Sequence, residues 1–256
     1  MLHRIKSSWL RNLRIGYISG QSGIMNRYLN EGENWNSHLE KSKQLITEFI
    51  LSRKPKTVRI LGSGWLLDVP IDAILKTGAK VILTDIIHPR QIKHKYAHNS
   101  QVTFETIDLN GGLVFFIGNR KVKQINYFEL ANFINNSPLN QFNEDIVISL
   151  NLLSQLAELP LNFLARKQKL DDWQVEELTE EIQNRHLQNL PTGKTLLITD
   201  FEEEYYQDKK LSAVKPTVFV KLEDYKQLAE WDWNFDTLET YKEDYTTILK
   251  VKAVEI

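Results

Sequence analysis

The 256-residue chain is 42% hydrophobic and 25% charged, with a formal net charge of -1, a globular composition that gives no global attraction to nucleic acid or anionic membrane. It contains no cysteine, which excludes disulfides, thiolate catalysis and cysteine-ligated metal. No apolar run approaches the roughly 18 residues that span a bilayer, and Met1–Arg14 mixes charged with apolar residues, so a cytoplasmic protein is expected.

Along the chain, strands and helices alternate. Leu39, Leu45, Ile46, Phe49 and Ile50 recur at helical spacing, which predicts a helix over Ser37–Leu51. Together with what precedes it, this sets residues 1–55 apart as an N-terminal helical segment and candidate lid, ahead of a main domain over 56–256. Thr57–Leu61 reads as the first strand, closed by Gly62; a helix follows from Asp68, with Pro70 in its first turn. Lys80–Thr84 is the second strand, ending in Asp85, and Pro89 opens a helix reaching His98. Val102–Ile107 is the third strand, ending in Asp108. Gly111–Gly118 reads as an extra strand or β-ribbon, with a helix over Tyr127–Ile134. Ile146–Leu150 is the fourth strand. Leu152–Leu190 is a helical stretch broken near Asp171. Lys194–Thr199 is the fifth strand, ending in Asp200. A short helix near Tyr225 precedes two alternating strands, Trp231–Phe235 and Ile248–Ile256. Short apolar strands separated by helices predict a parallel sheet covered on both faces. With the last pair antiparallel, the expectation is a seven-stranded, Rossmann-like three-layer α/β sandwich.

In an open parallel sheet, ligands bind beyond the carboxyl ends of the strands, at the point where strand order reverses. Four segments lie there. Gly62-Ser63-Gly64 joins a strand to a helix, where glycine allows a sharp turn and close approach of a ligand to the backbone; a plain tight turn is the alternative. Asp85-Ile86 ends the next strand, and its carboxylate can accept from both hydroxyls of a ribose or serve as a cap. Asp108-Leu109 can meet an adenine amino group or simply turn the chain, and Asn151 can line the reactive end of a cofactor or cap a helix.

This pattern resembles the class I S-adenosylmethionine-dependent methyltransferases. Val58–Gly64 is similar to that superfamily's glycine-rich first motif, Asp85 to its ribose-binding acid, Asp108-Leu109 to its adenine-contacting motif and Asp145–Leu150 to its fourth-strand motif. The resemblance runs over roughly Lys56–Ile256. It implies S-adenosylmethionine as cofactor and in-line methyl transfer, here to a small-molecule substrate. The chain departs from the pattern at Ile60, where an acid is usual, and at Leu66, where a third glycine is frequent. The Asn/Asp-Pro-Pro-Tyr signature is absent after Leu150.

His38, as a base, a cofactor contact or a packed ring, and Asp200, which ends the fifth strand and could face the substrate, are the candidate catalytic residues, and the acidic, aromatic run Glu202–Tyr206 could attract a cationic amine or be a solvated face. His88, His94 and His98 suggest a metal only superficially, because no third ligand is implied; no metal is expected. Two alternatives stand. One is a nicotinamide-dependent oxidoreductase, which would want a small residue where Leu67 sits. The other is a non-catalytic relative of the methyltransferases. The sequence leaves the oligomeric state open.

Overall fold

A computed structural model describes residues 15–167 and 169–256. The reading of Met1–Arg14 therefore lies outside the described residues. In chain order the elements are α1 (Tyr17–Arg53), β1 (Thr57–Leu61), α2 (Ile71–Lys76), β2 (Lys80–Asp85), α3 (Arg90–Lys95), β3 (Val102–Thr106), α4 (Leu113–Gly118), α5 (Tyr127–Asn136), β4 (Ile146–Leu150), α6 (Glu158–Ala165), α7 (Asp172–Asn189), β5 (Thr195–Gln207), β6 (Lys210–Pro216), β7 (Lys226–Asp236) and β8 (Thr246–Glu255).

The strands form one sheet in the order β3-β2-β1-β4-β5-β8-β7, with β6 paired to β5 off that path. The pairs from β3 to β5 are parallel; those of β5 with β8 and β6, and of β7 with β8, are antiparallel. Strand order reverses at β1, which lies between β2 and β4. Side chains alternate across the sheet as the pleat requires. Val58, Ile60, Ile146, Ile148 and Leu150 join one core with α1 and α2. Leu61, Val147, Leu197 and Val254 join the other with α4 to α7. This is a Rossmann-like three-layer sandwich.

The structure corrects four sequence expectations. The first helix begins at Tyr17 rather than Ser37 and buries Glu31, Trp35, His38, Leu39, Ser42, Ile46, Phe49 and Ile50 on one stripe. Within Gly111–Gly118 the two glycines turn the chain and Leu113–Gly118 is helical rather than extended; the Asp108 carboxylate accepts from the backbone N–H of Val114 (2.8 Å) and Phe115 (3.3 Å) in its first turn. The stretch near Tyr225 is a turn rather than a helix, with Tyr225 N–H bonded to the Leu222 carbonyl. The sheet has eight strands rather than seven, because β5 continues beyond Asp200. It turns through Asp208 and Lys209, both at positive φ (48° and 64°), into β6. The expected break near Asp171 is present as the capping box that starts α7.

Candidate functional site

A cavity of about 780 Å³ opens at the carboxyl ends of β1 and β4, where strand order reverses. Gly62, Ser63, Gly64, Asp85, Ile86, Asp108, Leu109, Asn151, His38 and Asp200 all line it. The sequence candidates, scattered over some 160 positions, thus share one space. The amino-terminal half of α1 forms a further wall through Tyr17, Gln21, Ile24 and Arg27. Trp65 Nε1 donates to the Gln21 carbonyl at 2.7 Å and ties that wall to the glycine loop.

The loop after β1 is shaped for close approach. Gly62 has φ 77°, and a Cβ there would lie 2.8 Å from the Leu150 carbonyl oxygen and 3.2 Å from Leu152 Cβ. Only glycine combines that dihedral with that clearance. Leu66, at the third-glycine position, also has positive φ, at 58°. Ser63 Oγ is buried and has no hydrogen-bond partner.

Asp85 faces the loop. Its Oδ2 accepts from Gly64 N–H at 2.8 Å and its Oδ1 from Ile87 N–H at 3.3 Å. Each oxygen keeps a lone pair for a further donor. Burial raises its pKa, against backbone hydrogen bonds from Gly64, Ile87 and Ile86 and the neighbouring His88. Asp108 is more occupied, since Asn110 N–H also reaches its Oδ1 at 3.2 Å.

Asn151 sits just after β4 in the left-handed region, at φ 45°. Its Nδ2 donates to Asp68 Oδ2 at 2.7 Å and lies 3.2 Å from His38 Nε2. Burial pushes Asp68 up. His38 Nδ1 accepts from the Trp231 indole at 3.2 Å, and the ring stacks on Trp233 at 3.8 Å and 7°. An indole N–H only donates, so the proton of a neutral His38 is on Nε2. Burial pushes the His38 pKa down to about 3, and the ring stays neutral at physiological pH.

Asp200 Oδ1 accepts from Ser154 Oγ at 2.6 Å. The run read as an acidic rim is strand, and its period of two turns Glu203 and Tyr205 inward. Glu203 accepts from the hydroxyls of Tyr205 and Tyr241, the latter at 3.0 Å. Sequence reasoning missed Glu158 and Tyr17. Burial, then Glu203 and Asp200, raise Glu158; burial, then Asp108 and Asp85, raise Tyr17. Among the described residues, eight carboxylic side chains line the cavity against Arg27 and Lys215 as full cations. Of the histidines weighed for metal, His88 is turned to the Glu105 carbonyl (2.9 Å) and packs edge-on to Phe104, while His94 and His98 are exposed. Among the described residues no helix is long and apolar enough to cross a membrane.

No protein-family model matches the chain, and no curated protein matches it in sequence. Among solved structures, it is similar to the Burkholderia thailandensis 1,6-didemethyltoxoflavin-N1-methyltransferase bound to its substrate and S-adenosylhomocysteine, at 12% identity. That match covers 99% of this chain and 90% of that one, with a TM-score of 0.45. It is also similar to the N-methyltransferase NodS from Bradyrhizobium japonicum WM9 (12% identity, 83% and 85% covered, TM-score 0.37). A third is an S-adenosylmethionine-dependent methyltransferase from Aquifex aeolicus (14% identity, 92% and 98% covered, TM-score 0.37). At these values the likenesses say nothing about chemistry.

Proposed function

We propose that the protein is an S-adenosylmethionine-dependent methyltransferase acting on a small molecule. The observation that carries this reading is the cavity at the reversal of strand order, with the Gly62-Ser63-Gly64 loop on one side and the Asp85 carboxylate on the other. The residues fit the cofactor. Asp85 has acceptor capacity for ribose hydroxyls; Gly62, Ser63 and Asn151 would hold the methionine end; Ile86, Asp108 and Leu109 the adenine side. When bound, the cofactor supplies an electrophilic methyl group on a sulfonium. The chain's own residues then bind, orient and exclude water, and such positioning is worth up to about 7–11 kcal/mol of a transfer barrier. Where the acceptor carries a proton, Asp200 is the base; burial raises its pKa and makes it a better proton acceptor than an ordinary aspartate. His38 has Nδ1 occupied by the Trp231 indole and little basicity, and we assign it a packing role beside Asn151 rather than that of a base.

Calorimetric titration with S-adenosylhomocysteine tests the reading, with NAD as control. Micromolar binding of S-adenosylhomocysteine is expected, with none of NAD, and Asp85→Asn should weaken it at least tenfold. Absence of heat with S-adenosylhomocysteine would sink the proposal. It would favour instead a fold that has lost its chemistry, a reading to which Leu66 at positive φ gives some support.

A further inference from the structure

We propose that the part of the cavity beyond the glycine loop is a chamber for a protonated amine. The methyl acceptor is then a small molecule whose reacting nitrogen is cationic at rest and which also carries a hydrogen-bond acceptor. This deepens the methyltransferase reading and rests on it.

Three carboxylates, Glu158, Asp200 and Glu203, line this half of the cavity and are close enough to repel one another. The cations nearby are engaged elsewhere or stand on the exposed rim. Arg27 Nη1 pairs with Asp236 at 3.4 Å, and its guanidinium lies over the rings of Phe235 (4.8 Å) and Tyr241 (5.0 Å). Lys215 stands on exposed β6, opposite Glu203 in the strand register, and it and the exposed Arg166 pull the Glu158 pKa down. The Tyr205 and Tyr241 hydroxyls that Glu203 accepts from are neutral donors, which fix its carboxylate without neutralising it. Asp200 and Glu203 are buried while the rim cations stand in solvent, and the pair calls for a cation from outside the chain.

Trp233 gives a second, independent sign of a ligand. It is only 6% exposed, yet its indole N–H has no partner. Its place on the sheet aims it at the chamber. Glu203 pairs in register with Leu249, and Leu249 with Trp233, so the three side chains stand side by side on one face, and all three line the cavity. A buried donor without a partner is costly unless a ligand atom accepts from it.

The step balances on these residues. The substrate nitrogen gives its proton to Asp200 and frees its lone pair. That nitrogen then bonds the methyl carbon as the carbon–sulfur bond breaks, sulfur keeping the electron pair. The products are the methylated amine and S-adenosylhomocysteine, and the proton passes to solvent.

The test titrates tyramine and tryptamine against their matched acids, 4-hydroxyphenylacetate and indole-3-acetate. Each probe is run with free protein and with protein saturated in S-adenosylhomocysteine. At least one amine is expected to bind tenfold more tightly than its matched acid. Glu203→Gln and Asp200→Asn should each cost amine affinity at least fivefold more than S-adenosylhomocysteine affinity. If Glu203→Gln does not fold, Glu158→Gln carries that arm. Acids binding as tightly as amines, no probe binding, or variants that keep the amine preference would each overturn the chamber. Failure of S-adenosylhomocysteine to bind overturns the cofactor reading alone, and the amine series in free protein then stands or falls by itself.

Discussion

Two residues of the glycine loop show how one dihedral region makes opposite demands. Gly62 needs both positive φ and the absence of a Cβ, because the Leu150 carbonyl stands where that atom would go. Gly62→Ala should therefore lose more than about 2 kcal/mol, the left-handed penalty plus a backbone shift that reaches into β4. Leu66 has positive φ and a half-buried side chain packed against the α1-side core. Leu66→Gly relieves about 1 kcal/mol of backbone strain while losing packing and ordering a freer chain. It should stay within about 1 kcal/mol of the parent, well short of the 2–5 kcal/mol usual for truncating a buried leucine. Urea denaturation of both variants checks the pair; a large loss at Leu66 would mean its side chain outweighs its strain.

At the scale of elements, α1 is what the sequence concealed most. Residues 37–51 carry a plain apolar stripe, but 17–36 include Gly20, Gly23 and Gly32 and several serines and asparagines, all poor helix formers. Tertiary contacts hold that half. Trp35 Nε1 donates to the Phe235 carbonyl at 2.9 Å. Buried Glu31 accepts from the N–H groups of Thr237 (2.8 Å) and Leu238 (3.0 Å) and from the Thr237 hydroxyl (2.8 Å). Glu31→Ala strands two backbone donors and should cost about 2–4 kcal/mol, whereas Glu31→Gln, which keeps one acceptor, should cost roughly half. Hydrogen exchange at residues 237–241 reads the effect; unchanged protection there would show that α1 is held by its apolar stripe alone. The parallel strands were legible because each is a short run followed closely by a glycine, an acid or, after β4, an asparagine, and those same ends are the cavity residues. The β5–β6 hairpin was not, since Glu202–Tyr206 looks like a solvated charge run until its neighbours across the sheet bury every second residue. Glu158 lay hidden for the same reason: nothing local marks a helical glutamate as facing a cavity built by distant strands.

The whole molecule carries opposed responses to acid. His186 is fully buried against Ser149 Oγ at 2.9 Å, and burial pushes its pKa down to about 4; His38 goes to about 3. Below the ordinary histidine value near 6.5 the unfolded chain takes up protons that these folded rings refuse. Their contribution is therefore complete above that pH and is lost as pH falls toward the folded values. The buried carboxyls Asp68, Asp85, Glu158 and Asp200 act the other way. Their raised pKa values let the folded state accept protons first, so mild acid favours it through them. The summed curve is shallower than either set alone. A difference between two proteins isolates one group. His186→Gln keeps a polar partner for Ser149 and removes one titration. Between pH 7.5 and pH 5.0 the parent should lose about 2 kcal/mol more stability than the variant, the 1.36 kcal/mol per pH unit of one refused proton taken below 6.5. Urea denaturation of both proteins at the two pH values measures it. Parallel losses would mean that folded His186 takes up its proton as readily as the unfolded chain does, and would leave His38, whose folded pKa is also pushed down, to carry the acid sensitivity against the opposing carboxyls.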